Sequence, residues 1–254
     1  MIMEISVIAS GSNGNCCLVE DRDASVLIDA GKSGREIESR LSSLGKSMED
    51  VDAVLLTHSH SDHVSGAGVL SRRYSIPVYM TRQVFAEASA RLRKIDARHF
   101  SLKKSFRIKD MKIRPVPTSH NVSSCGFVIK KLGVFTDTGT VTDEMKKVMP
   151  GLSTVLLESN HDIDMVIKGP YPYFLKNWIL SDIGHLSNIH ACGFIQEHGK
   201  NLSLALLGHL SGNNNTPEMA TKTFEALVKR KFDFRVCSRE KASGSWNIDG
   251  SKRR

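Results

Sequence analysis

The chain has 254 residues, 40% of them hydrophobic and 24% charged, with a formal net charge of +8. That balance excludes a disordered polyelectrolyte, and no apolar run approaches the roughly 18 residues that a membrane-spanning helix needs. The positive charge suits an anionic partner such as nucleic acid, and suits a solvated basic surface equally well.

The first ten residues, MIMEISVIAS, lack a basic leader and carry Glu4 early, so they read as the start of a cytoplasmic protein rather than a signal peptide. The five cysteines, Cys16, Cys17, Cys125, Cys192 and Cys237, form no CxxC pair and are odd in number, which points to reduced, buried thiols. Short β-branched stretches, residues 4–10, 16–20 and 24–30, alternate with Gly/Ser/Asn turns and read as strands. Residues 33–45 begin with Ser33, carry Glu36 three positions on and show helical periodicity. A buried strand over 52–58 runs into polar residues; a helix (64–74), a strand (77–80) and a helix (81–93) follow. Residues 98–137 read as a run of strands. The second half alternates: helix 140–148, strand 153–158, helices 162–180 and 187–198, strand 202–208, helix 216–229. Blocks of strands interleaved twice with helices suit two sheets packed face to face with helices outside, more than a doubly wound sheet. The expected organisation is one domain over residues 1–245 and a basic tail over 246–254 that ends in Lys252, Arg253 and Arg254.

The sharpest signal is THSHSDHV, Thr57 to Val64, which packs His58, His60, Asp62 and His63 into six residues after an apolar strand. In an extended chain His58, His60 and Asp62 fall on one side and His63 on the other; a turn at Ser61 would let two ligand sets face two metals. Imidazole with carboxylate suits zinc, with manganese or iron also fitting. Further candidates stand at later strand ends: His120, Asp137 and His209. The four residues GHLS occur twice, around His185 and around His209.

HxHxDH followed by a strand-end His, a strand-end Asp and a final His resembles the metallo-β-lactamase superfamily, over about Ile5 to Phe234. The resemblance implies an α/β (α+β) fold, the four-layer αββα sandwich. It implies two divalent metal ions, with His58, His60 and His120 on the first, Asp62, His63 and His209 on the second, and Asp137 bridging. It also implies a hydroxide shared by the metals as nucleophile, with Asp62 orienting it. The segments ASGSNGNCCLVE (9–20), LLESNHDIDMVIKGPYPYFLKNWILSDIGHLSN (156–188) and GHLSGNNN (208–215) resemble the YycJ-type branch (WalJ or VicX), viewed as metal-dependent nucleases. Asn121 departs from it, where many relatives carry Asp.

His185 resembles the His of the GHST segment in ribonuclease Z, and Glu158 matches the acidic residue that orients it there. That implies a catalytic role for both: Glu158 fixes the tautomer of His185, and His185 serves the scissile phosphate or leaving oxygen. A histidine in a helix-entry turn is the other reading. His161 reads as a support for the site or as local helix-start chemistry. The Ser10–Asn15 turn could offer N–H groups to a phosphate or be a plain turn. Gly31 and Gly139 read as turn glycines. Function therefore reads as a dinuclear phosphodiesterase or exonuclease acting on nucleic acid, DNA before RNA, with no membrane partner. The alternative is a small-molecule hydrolase (lactonase, thioesterase or cyclic phosphodiesterase). Arg72, Arg73, Arg91, Arg93 and Lys94 are candidate phosphate contacts or solvated helix faces.

Overall fold

The computed structural model of the chain describes residues 3–248. The first strands pair where the apolar stretches predict: β1 (Glu4–Ala9), β2 (Cys16–Asp21) and β3 (Ala24–Ile28) form an antiparallel meander. Helix α1 (Gly34–Ser43) starts where Ser33 Oγ accepts the Glu36 amide N–H at 3.2 Å. Then come β4 (Ala53–Leu55), α2 (Ser61–Val64), α3 (Ala67–Tyr74), β5 (Val78–Met80), α4 (Arg82–Leu92) and β6 (Ala97–His99). β3, β4, β5 and β6 are mutually parallel, joined by these helical crossovers.

The hairpin β7 (Phe106–Ile108) and β8 (Met111–Pro117) is followed by β9 (Cys125–Ile129) and β10 (Leu132–Phe135). The remainder is α5 (Asp143–Val148), β11 (Thr154–Glu158), α6 (Ile163–Lys168), α7 (Tyr173–Ile179), α8 (Asn188–His198), β12 (Leu204–Gly208), α9 (Pro217–Leu227), β13 (Asp233–Val236) and β14 (Gly244–Asn247). The result is two seven-stranded mixed sheets, in the orders β14-β1-β2-β3-β4-β5-β6 and β13-β12-β11-β10-β9-β8-β7. β10 to β13 are parallel neighbours.

The described residues form two compact units, residues 3–115 with 238–248, and residues 116–237. Each has its own core. Ile8, Leu18, Leu27, Ile37, Leu41 and Leu56 are buried in the first, and Phe135, Met145, Leu157, Ile195, Leu207 and Phe224 in the second. Parallel strands buried on both faces read as continuous apolar runs, as β11 and β12 do.

Three boundaries differ from the sequence expectation. The helix expected over 64–74 starts later, as α3 at Ala67, because the HxHxDH motif forms a short helical turn of its own, α2, over Ser61–Val64. The helix expected over 162–180 splits into α6 and α7 around Gly169–Pro172, since Pro170 and Pro172 supply no amide donor. Trp246 and Asn247, expected in the tail, instead extend the sheet: β14 pairs along the edge of β1, Trp246 opposite Ile5 and Asn247 opposite Glu4. The tail's basic end, Lys252 to Arg254, lies outside the described residues. Among the described residues no helix is long and apolar enough to cross a membrane.

Candidate metal centre

In the first unit the fully buried strand β4 ends at Leu55, and the chain bends at Thr57 and Ser59 before His60, which is itself extended with ψ 151°. It then turns at Ser61 into α2, so Asp62 and His63 leave on a helical turn rather than by strand alternation. His58 and His63 are both 0% exposed. The His58 ring centroid lies 4.7 Å from that of His60 and 4.0 Å from that of His63.

Asp29, just past β3, organises these rings. Its Oδ1 accepts the Thr57 amide N–H at 2.9 Å, and its Oδ2 accepts the Thr57 hydroxyl at 2.9 Å. His63 Nδ1 lies 2.7 Å from the same Oδ2 and donates to it. His58 Nδ1 lies 2.9 Å from Thr57 Oγ1; as that hydroxyl gives its proton to Asp29, its oxygen accepts from the imidazole. Both rings therefore carry their proton on Nδ1 and keep the Nε2 lone pair, the form that binds a cation. Asn15 Nδ2 donates to His63 Nε2 at 3.0 Å and sits 3.5 Å from Asp62 Oδ2.

The turn before β2 also grips the motif's backbone. Asn15 N–H donates to Asp62 O at 2.8 Å, and Ala30 N–H to His63 O at 2.7 Å. A Cβ on Gly31 would stand 1.6 Å from Asp62 O, so this glycine is required by close approach.

In the second unit the polar residues again follow strands. His120 comes after β8, Asp137 after β10, Glu158 ends β11 and His209 follows β12. This is the carboxyl end of the parallel strands, where α/β sheets carry their sites. Asp137 and His209 both adopt left-handed backbone, φ 55° each, as Asp29 does in the first unit at φ 60°. Non-glycine residues are uncommon there and concentrate at functional positions.

Asp137 is 1% exposed. Its Oδ2 lies 3.1 Å from His209 Nδ1, and its Oδ1 lies 3.9 Å from both His120 Nε2 and His185 Nδ1. His120 Nδ1 donates to the carbonyl of Gly184 at 3.0 Å; a carbonyl can only accept, so Nε2 is the unprotonated nitrogen. His185 Nδ1 donates to Glu158 Oε1 at 2.7 Å, and Glu158 Oε2 accepts the Thr138 amide N–H at 2.7 Å. One ligand-competent atom from each of Asp137, Glu158, His185 and His209 lies within 4.8 Å of the others.

The repeated GHLS segments meet here. The His185 and His209 rings stack 5.3 Å apart. Asn160 ties both turns down: its amide N–H donates to Leu186 O at 2.8 Å and its Nδ2 to His209 O at 2.9 Å. Gly139 packs by close approach as Gly31 does, a Cβ falling 2.4 Å from Ser181 O.

Other residues singled out by sequence resolve more plainly. His161 is 1% exposed, its Nδ1 has no hydrogen-bond partner, and burial pushes its imidazole down to about 4. Asp162 caps α6, accepting the Met165 amide N–H at 3.0 Å, and Asp164 pairs with Lys168. Asn121 is exposed, as are His99 and His190. Arg72 donates to Leu92 O at 2.8 Å and Arg73 grips Glu38 at 2.6 and 2.8 Å, while Arg91, Arg93 and Lys94 are exposed at the end of α4. All five cysteines are buried thiols outside any disulfide, and burial pushes the Cys192 thiol up to about 12. Asp29, Thr57, Asn15 and Asn160 were missed by sequence reasoning. Asp29 alone carried a signal, a polar residue ending an apolar strand.

The chain matches known proteins over most of its length. Residues 24–209 match the family model described as Beta-lactamase superfamily domain. The exodeoxyribonuclease WalJ of Streptococcus pneumoniae serotype 2 (strain D39 / NCTC 7466) is 38% identical over 229 residues, covering 86% of this chain and 85% of that one. The exodeoxyribonuclease YycJ of Bacillus anthracis is 35% identical over 243 residues, 91% of each chain. Among solved structures, the metallo-β-lactamase fold protein YhfI from Bacillus subtilis superimposes with a TM-score of 0.76 at 18% identity, over 96% of this chain and 99% of that one. That likeness speaks to the fold alone.

Proposed function

This chain belongs to the YycJ-type (WalJ) branch of the metallo-β-lactamase superfamily, and on that premise we propose that it is a metal-dependent exonuclease that cleaves phosphodiester bonds of DNA. The observation that carries the reading is the anchoring of its histidines. Asp29 holds Nδ1 of His63, the Gly184 carbonyl holds Nδ1 of His120, and Glu158 holds Nδ1 of His185. Imidazoles fixed this way present Nε2 to a cation or a substrate, and nearby carboxylates supply the negative charge that a divalent ion needs. By the family resemblance, two divalent ions of zinc type would be held by His58, His60, Asp62 and His63 together with His120, Asp137 and His209, whose imidazoles and carboxylates are the donors such ions take. Bound, the ions supply Lewis acidity and bring the pKa of a water toward neutrality.

The chain's own residues do the rest. Asp62, half-buried and braced by Asn15, orients the attacking water and takes its proton. Glu158 is 0% exposed and holds His185 at Nδ1, so Nε2 is the nitrogen that faces the departing oxygen and gives it a proton. The carboxylate also stabilises the imidazolium before transfer. The basic balance of the chain, +8 overall, favours a polyanionic substrate.

The test incubates metal-replete protein with end-labelled single- and double-stranded DNA and RNA beside a lactone and thioester panel. Progressive shortening of DNA supports the proposal. Turnover of lactones or thioesters with no cleavage of nucleic acid overturns it.

A further inference from the structure

Helix α7 carries an aromatic stripe that the metal-centred chemistry does not use. Tyr173 is 79% exposed and Phe174 74%, on a helix whose opposite side buries Ile179. Adjacent exposed aromatics form an apolar patch, the kind of surface that meets a partner or a ligand. Phe174 and Trp178 are four residues apart, so they lie on one face of the helix, about 6 Å apart along its axis. The stripe runs into the site. The Trp178 ring meets His185 edge-on at 5.5 Å and lies 6.5 Å from His120.

The helix is also bolted to the turn that bears His185. The Ser181 amide N–H donates to Trp178 O at 3.1 Å, and the His185 amide N–H to Ile179 O at 3.1 Å. A Cβ on Gly184 would fall 2.1 Å from Trp178 O, so the turn packs hard against the end of α7. The spacing between the aromatic stripe and His185 is therefore fixed.

We infer that the Phe174–Trp178 face of α7 is a stacking platform for the unpaired terminal bases of the DNA strand whose phosphodiester lies at His185. This rests on the nuclease reading above and adds how the strand is held. Every base offers a π-face, so aromatic rings grip single strands without sequence preference. A second copy of the chain is the poorer occupant. A seven-residue helix is about 10 Å long and offers far less than the roughly 800 Å² per partner of a stable dimer.

The experiment compares kcat/KM of the metal-loaded full chain on two oligonucleotides, one intact and one with abasic sites at its two terminal nucleotides. The wild type should prefer the intact strand by roughly 10- to 100-fold, the range expected for a lost base stack. Phe174→Ala should bring that ratio toward one, and Phe174→Trp should restore it. Because Phe174 is solvent-exposed, its truncation does not empty a core. An equal preference in wild type and Phe174→Ala overturns the platform while leaving the nuclease reading intact. Failure of the wild type to cut either strand overturns both. A sedimentation change in Phe174→Ala with an unchanged ratio assigns the stripe to self-association and likewise overturns the platform.

Discussion

His185 Nδ1 lies 2.7 Å from Glu158 Oε1, while the other oxygen of Glu158 accepts the Thr138 amide N–H. A fully buried carboxylate held by one backbone donor and one imidazole is a positioning device. Glu158→Gln should keep bound metal and lower kcat on DNA by about 10²- to 10⁴-fold, the usual share of a general acid. The check is a substrate whose leaving group needs no proton, such as a p-nitrophenyl nucleoside phosphodiester. Its turnover should fall far less. Equal losses on both substrates would assign Glu158 a role other than leaving-group protonation.

Asp29 is the second buried carboxylate with two partners, His63 and Thr57. Asp29→Asn should weaken metal binding by about 10- to 100-fold, the usual effect of losing a carboxylate behind a histidine ligand. Competition with a chromogenic chelator measures this. Unchanged affinity would mean that the His63 tautomer is fixed elsewhere.

Gly31→Ala places a Cβ inside the Asp62 carbonyl. Backbone does not yield as a flexible side chain does, so the change should cost at least about 2 kcal/mol of stability, at the upper end of overpacking. A denaturation midpoint reads it, and a shift under about 0.5 kcal/mol would contradict the geometry.

His161 titrates near 4 in the folded chain against 6.5 unfolded, because burial disfavours its charged form. Between those values the unfolded state binds the extra proton, so stability falls as pH drops from about 6.5 toward 4. The linkage is worth up to roughly 3 kcal/mol at the acid end. His161→Phe should flatten the slope of unfolding free energy with pH in that window. A slope equal to that of the wild type would contradict it.

The candidate ligands His58, His120 and His209 were legible in the sequence because each comes shortly after an apolar strand, whereas His63 sits on the helical turn α2 and was legible only through the HxHxDH spacing. The fold class was legible for a related reason: β-branched runs and helical periods alternate in blocks. Asn15 and Asn160 were not legible. They act through side-chain bonds to backbone groups tens of residues away, Asn15 to Asp62 and Asn160 to His209, and no local period records such contacts. The break between α6 and α7 was written in Gly169–Pro172 but outweighed by the helical pattern on both sides. The edge strand β14 escaped because its residues are only half-buried and lack alternation.

In the proposed centre His209 holds metal and His185 does not, although both sit in a GHLS turn with rings 5.3 Å apart. Metal per chain, measured by inductively coupled plasma mass spectrometry on zinc-loaded wild type, His209→Ala and His185→Ala, tests it directly. Two ions per chain are expected in the wild type and in His185→Ala, and a clear loss in His209→Ala. Equal loss in both variants, or no bound metal in the wild type, would contradict it.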